Sequence, residues 1–106
     1  MIPEERPDTK AVLDLLGDAA SRKILGVLQE DKDMSASDLE DECNLSTPTI
    51  YRRLNSLSDL NLVKEELNLN TEGNHYTTYV SNIDSIEIKL HEGRDVKVEE
   101  NPKHEI

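Results

Sequence analysis

One short segment in the middle of this chain carries the markers of a helix start followed by a single apolar face. Ser46 is a residue type that caps helix N-termini, and Pro48 falls in the first turn, where its missing N–H costs little. Ile50, Leu54 and Leu57 recur at i, i+4 and i+7 and so form one apolar stripe. The other positions present polar groups suited to phosphates and base edges: Thr47, Thr49, Tyr51, Arg52, Arg53 and Asn55. The segment predicts the turn and second helix of a helix-turn-helix.

Helix boundaries upstream of this segment complete the motif. A short apolar helix over residues 11–16 ends at Gly17, a residue suited to a left-handed helix terminus. Asp18 is the expected N-cap of a second helix. Ser35 followed by Asp38 has the pattern of a capping box and predicts the start of a third. The sequence therefore predicts three or four helices before residue 62.

The C-terminal part of the chain changes from helical to strand patterning. Two runs rich in strand-forming residues, 62–69 and 75–80, flank the turn sequence 70–74 and predict a β-hairpin. A second hairpin is expected over residues 83–100, where isoleucine, leucine and valine alternate with polar residues on both sides of a turn at 91–94. Helices followed by hairpins indicate an α+β domain.

The predicted fold is α+β: a winged helix-turn-helix, with three to four helices and a β-hairpin wing, and an additional C-terminal β-hairpin. Asn44 and Asn61 are candidate left-handed residues at the ends of the third and fourth helices. The expected division is a flexible N-terminal tail, the winged helix-turn-helix, a C-terminal hairpin that serves as a possible dimerisation element, and a flexible end: residues 1–8, 9–82, 83–100 and 101–106.

Composition bounds the class of protein. No apolar run of membrane-spanning length occurs, no signal-peptide pattern opens the chain, and the single cysteine excludes an internal disulfide, so a cytoplasmic protein is expected. The net charge is −11, with 23 acidic against 12 basic side chains, which is unusual for a nucleic-acid binder. Residues 45–80, however, hold only four acids and three bases. This acidity, with no Phe or Trp, suits a cytoplasm of molar salt, and a halophilic archaeal source is expected; the alternative is an ordinary acidic mesophilic protein.

Residues 15–25 and 39–63 resemble the ArsR-like winged-helix transcription regulators, of the small acidic type found in halophilic archaea. The first segment is similar to the family's opening L-G-D pattern, with Arg22 at its basic position, and the second ends in a similar approach to the wing. The resemblance implies double-stranded DNA as the partner and a homodimer. The chain departs from the family in four places, and the first is a C-terminal hairpin where some members have a helix through which they dimerise. Asn61 replaces a usual glycine, the wing turn has Glu72 but no Arg or Lys, and no Cys or His pair offers a sensing metal site.

The candidate DNA-binding residues lie in the second helix of the motif and around it: Ser46, Thr47, Thr49, Tyr51, Arg52, Arg53, Asn55, Arg22, Lys64 and His75. The arginines could instead form a solvated helix face, Tyr51 could cover the joint between helix and wing, and Lys64 and His75 could be ordinary surface residues. Candidate dimer-interface residues are apolar positions of the first helix and the second hairpin: Val12, Leu15, Leu16, Ile86, Ile88, Leu90, Val96 and Val98. Cys43 is expected in the core rather than as a redox sensor. No catalytic set, metal site or cofactor site is expected.

Two functions fit these residues. The first is a sequence-specific DNA-binding transcription regulator that acts as a homodimer, with the helix at about 46–58 in the major groove. The second is a winged-helix protein-interaction module in a larger complex without direct DNA contact, which the acidic surplus and the poorly basic wing favour. These residues identify no small-molecule effector.

Overall fold

The computed structural model describes residues 7–30, 33–90 and 96–103, and within them four helices precede four strands. The helices are α1 (Pro7–Leu16), α2 (Ala19–Leu28), α3 (Ala36–Cys43) and α4 (Thr47–Asp59). The strands are β1 (Val63–Leu69), β2 (His75–Ser81), β3 (Ile83–Leu90) and β4 (Val96–Pro102). The predicted α+β class is confirmed: a winged helix-turn-helix is followed by a second hairpin.

Local side-chain caps fix the start of two helices where the sequence predicted them. Asp18 caps α2, since its Oδ2 accepts hydrogen bonds from the backbone N–H and the hydroxyl of Ser21, at 2.9 and 2.7 Å. Ser35 and Asp38 form the complete capping box of α3, each side chain accepting from the other's backbone N–H at 3.1 Å. Asn44 then turns the chain between α3 and α4 in the left-handed conformation, with φ 53°.

The hydrophobic core lies where α2, α3 and α4 meet. The predicted stripe of α4 (Ile50, Leu54 and Leu57) is buried against α2 and α3, which contribute residues such as Ile24, Leu28, Leu39 and Cys43. Cys43 is therefore a core residue, as expected. Burying each of these large apolar side chains contributes about 1.5–3 kcal/mol, so the stripe fixes which face of α4 is left for other contacts.

The wing is an antiparallel pair of β1 and β2, in register from Val63 opposite Ser81 to Leu69 opposite His75. Met34, in the connection between α2 and α3, pairs with Tyr79 through two backbone hydrogen bonds of 3.1 and 2.8 Å. This bridge attaches the wing to the helical part, and no local sequence pattern indicated it.

The second hairpin, β3 with β4, has one charged and one apolar face. Lys89 and Lys97 both pair with Glu99 across the charged face, at 3.2 and 3.3 Å. At the base of the hairpin, Gln29 of α2 donates hydrogen bonds to the carbonyl oxygens of Ile83 and Asp84, at 3.1 and 2.8 Å. The base is thus held to α2.

Several boundaries differ from the sequence predictions. The N-terminal helix begins at Pro7, a residue favoured in a first helical turn, so two residues of the expected tail are helical. At the other end, β4 extends to Pro102, two residues beyond the expected hairpin. Gly17 does follow α1, but it is not left-handed, because its N–H continues the right-handed bonding to Leu13 O at 2.9 Å. Residues 1–6, the 91–94 turn and residues 104–106 lie outside the described residues.

Candidate nucleic-acid interface

The recognition helix is α4, the second helix of the helix-turn-helix. Its first residue, Thr47, follows the N-cap Ser46, and Pro48 occupies the first turn as predicted. Because the helical period is 3.6 residues, the side opposite the buried stripe carries Pro48, Arg52, Asn55 and Asp59. All four are exposed. The recognition helix therefore presents a polar outer face to solvent.

Arg52 is the cation of this outer face. It is exposed, and in residues 7–30, 33–90 and 96–103 its guanidinium has no ion-pair or hydrogen-bond partner. Tyr51, beside it, is also exposed. Burial raises the pKa of the Tyr79 phenol, and the proximity of Glu65 and Tyr51 adds to the effect. Tyr51 therefore lies near the joint between helix and wing while its ring is accessible.

The hydroxyl groups at the N-terminal end of the recognition helix are partly engaged. Ser46 donates from Oγ to Thr49 Oγ1 at 2.9 Å, and its side chain makes no capping bond to the backbone. The Thr47 hydroxyl donates to Glu40 of α3. A phosphate oxygen can only accept a hydrogen bond. Thr47 can therefore donate to a phosphate only after its hydroxyl has released Glu40. Thr49 accepts from Ser46, so its own proton can be donated.

The second arginine of the helix, Arg53, lies on the flank that faces α2 and contacts the N-cap carboxylate of Asp18. Its Nη2 donates to Asp18 Oδ1 at 3.3 Å. Its buried Nε lies 2.8 Å from Oδ2, but the N–H does not point at that oxygen, so this second contact is an ion pair without a hydrogen bond. The hydroxyl and backbone N–H of Ser21 lower the pKa of Asp18, burial opposes the shift, and Arg53 lowers the pKa further.

Three candidate DNA contacts lie away from the recognition helix. Arg22 donates from Nη1 to the carbonyl oxygen of Leu16 at 2.6 Å, at the C-terminal end of α1. Lys64 lies 3.9 Å from Glu66 at the base of the wing, and His75 is exposed near its tip. Two of these three side chains are thus already engaged by other groups of the chain, Arg22 by a carbonyl oxygen and Lys64 by a carboxylate.

The dimer-interface candidates divide by exposure. Val12 is buried in the chain's own core, so its side chain is not available to a second copy. Leu15, Leu16, Ile86, Val96 and Val98 are half-buried. Leu90 is 79% exposed and Ile88 is 48% exposed, both on the apolar face of the second hairpin.

One acidic side chain of α3 contacts the recognition helix. Glu40 reaches its first residue, while Asp41 and Glu42 of α3 are exposed. Sequence reasoning treated Asp18 only as a helix cap and did not identify Glu40 as a partner of Thr47. Asp18 and Arg53 are 35 positions apart, and no local pattern signals such a contact.

Neither a membrane-spanning helix nor a metal-binding cluster occurs in the described part of the chain. None of its helices has the length and hydropathy needed to cross a membrane. Its His, Cys, Asp and Glu side chains form no group of three placed to hold a metal ion.

Comparison with known proteins supports the motif. Residues 16–66 match the model of a family described as a helix-turn-helix domain, and the match extends from the end of α1 into β1. No curated protein matches the chain. Families of this kind are typically DNA-binding and non-enzymatic. Residues 16–66 are thus similar to a helix-turn-helix domain, and such a domain suggests a DNA-binding regulator.

Proposed function

We propose that the protein is a sequence-specific transcription regulator that inserts the recognition helix into the major groove of double-stranded DNA. The observation that carries the proposal is the exposed outer face of α4, where Arg52 has no partner among the described residues and Tyr51 and Asn55 flank it. An arginine can donate two hydrogen bonds to guanine, and an asparagine can pair with adenine. Each such contact discriminates between bases by about 1–3 kcal/mol.

Phosphate contacts then position the helix in the groove. Ser46 and Thr49 lie at the N-terminal end of α4, where hydroxyls and backbone N–H groups commonly contact phosphates. Thr47 joins them if Glu40 releases its hydroxyl. Arg22, Lys64 and His75 are the proposed flanking contacts, with Lys64 weakened by its neighbour Glu66.

The active form in this proposal is a homodimer. The apolar face of the second hairpin, including the exposed Ile88 and Leu90, packs against a second copy together with the half-buried Leu15 and Leu16 of α1. A two-fold dimer places two recognition helices in successive major grooves. Its operator is then an inverted repeat with half-site centres about 10 bp apart or a multiple of that.

A second candidate function is a protein-interaction module. The wing favours it, because Leu67 and Leu69 are 70% and 62% exposed and the strand also carries Glu65 and Glu66. Exposed leucines beside carboxylates suit a protein surface better than a phosphate backbone. This patch lies on the wing, however, whereas the outer face of α4 is polar.

Selection of genomic DNA fragments by the purified protein separates the two functions. The selection is done at about 2 M KCl, where charge interactions between exposed groups are largely screened. The test variant is Arg52→Ala, and Lys97→Ala is the matched control, since it removes one exposed cation from the second hairpin.

Enrichment of an inverted repeat by the wild type and by Lys97→Ala, but not by Arg52→Ala, supports the regulator. If no protein enriches any fragment, the regulator is rejected in favour of the interaction module. Equal enrichment by all three proteins would show that Arg52 does not contribute to sequence-specific binding.

A further inference from the structure

The two adjacent arginines of the recognition helix are in different environments. Arg52 is exposed on the outer face, whereas the side chain of Arg53 is 29% exposed and contacts Asp18, which is 32% exposed. The Asp18 carboxylate also accepts two hydrogen bonds from Ser21. Sequence reasoning could not separate the two residues, because both are arginines in the same helical turn.

We propose that Arg53 is a positioning residue rather than a DNA contact: its ion pair with Asp18 holds the recognition helix at a fixed angle to α2, so that Arg52 and Asn55 meet the base edges in register. The inference rests on the proposed function and deepens it by dividing the work of the two arginines. Asp18 then has two tasks, since it caps α2 and anchors α4.

The geometry favours a contact that persists when DNA is bound. Arg53 meets Asp18 at two nitrogen atoms, at 2.8 and 3.3 Å, and its Nε is buried. Moving the guanidinium to a phosphate would leave Asp18 without its cation at a site that solvent screens only in part. Charge-assisted contacts of this kind are stronger than neutral ones, and they are specific in orientation for arginine.

A positioning role for Asp18 and simple electrostatics predict opposite effects of an Asp18 substitution on DNA binding. Replacing Asp18 by Asn removes a negative charge near the DNA and frees Arg53, so electrostatics alone predicts tighter binding. If Asp18 positions the recognition helix, Asp18→Asn instead weakens binding to the operator. Asparagine caps helices as well as aspartate does, so α2 keeps its N-cap and the variant is expected to fold.

The experiment measures binding of the full chain to the selected operator and to unrelated DNA, over a range of KCl concentrations. The variants are Asp18→Asn and Arg53→Gln, and the matched control is Asp14→Asn. Asp14 pairs with Lys10 at 2.9 Å on α1 and is exposed, so its substitution removes the same charge and leaves the Asp18 and Arg53 side chains themselves unchanged. Urea unfolding at each salt concentration confirms that every variant tested is folded.

The expected result is a loss of about fivefold or more in operator affinity for Asp18→Asn and for Arg53→Gln, the size of one lost base contact. Binding to unrelated DNA stays within about twofold, and the salt slope of Arg53→Gln equals that of the wild type, because no phosphate contact is removed. Asp14→Asn binds the operator at least as tightly as the wild type.

Two results would overturn the inference while leaving the regulator intact. One is tighter operator binding by Asp18→Asn. The other is a decrease of about 0.9 in the steepness of the salt slope for Arg53→Gln, which would show that Arg53 contacts a phosphate. If the wild type itself selects no sequence, the proposed function fails, and this inference fails with it.

Discussion

Single residues with left-handed backbone conformations set the turns on both sides of the recognition helix. Asn44 has φ 53° and Asn61 has φ 59°, as the sequence predicted from residue type. The left-handed region costs most L-residues about 1–2 kcal/mol, and asparagine tolerates it better. We expect Asn61→Ala to lower the free energy of unfolding by about 1 kcal/mol, whereas Asn61→Gly changes it by less than half of that. Urea unfolding measures both. A larger loss for the glycine variant would contradict this explanation.

The only cysteine gives a second prediction at the residue scale. Cys43 is buried among core residues, and this burial raises the pKa of its thiol, so less of the reactive thiolate is present at any given pH. We expect a thiol reagent at pH 8 to label the native protein at least about a hundredfold more slowly than the urea-unfolded chain. Labelling of the native protein at the unfolded rate would restore the redox-sensor hypothesis.

At the scale of elements, the first residues of two helices show what a sequence pattern predicts and what it misses. Ser35 and Ser46 both have the residue type and position of an N-cap, but only Ser35 accepts a hydrogen bond from the backbone of its helix. Loss of a true side-chain cap costs about 1 kcal/mol. We expect Ser35→Ala to lower the free energy of unfolding by about that amount and Ser46→Ala by less than half of it. Circular dichroism during urea unfolding compares them, and equal losses would show that Ser46 caps α4 in solution.

Elements were predictable where the signal is local. The α3 capping box, the apolar stripe of α4 and the alternation of β1 and β2 all depend on residues within one element or one turn. The pairing of Met34 with Tyr79 was missed because it joins positions far apart in the sequence. Arg53 and Asp18 are a similar case, and their contact changes the interpretation of a candidate site residue. Val12 was predicted at a dimer surface but is buried, since its pattern does not show which neighbour covers it.

At the scale of the whole molecule, the negative net charge opposes the binding of DNA, which is also negatively charged. The chain carries a net charge of −11, so an approaching duplex meets repulsion from most directions, and at low salt this repulsion is long-ranged. At about 1 M salt the Debye length is about 3 Å, and only groups within direct contact distance still matter. We therefore expect such a chain to bind DNA at high salt, where the repulsion is screened and the direct contacts of the recognition helix determine the affinity.

The salt dependence of operator binding tests this balance directly. Each phosphate neutralised by a cation releases counterions and contributes about −0.9 to the slope of log affinity against log salt, whereas acidic groups near the duplex retain cations and reduce the slope. Asp41 and Glu42 are exposed on α3, the helix that crosses the DNA backbone in this motif. We expect a wild-type slope shallower than about −0.9 per phosphate contact, and a steeper slope for Glu42→Gln. Glu87→Gln, on the second hairpin, is the matched control and should leave the slope unchanged. A steep wild-type slope with no binding at molar KCl would contradict both the expected halophilic source and the role assigned to the acidic surface. The contacts of α4 would then be too weak to bind DNA at the salt concentration that screens the acidic charge.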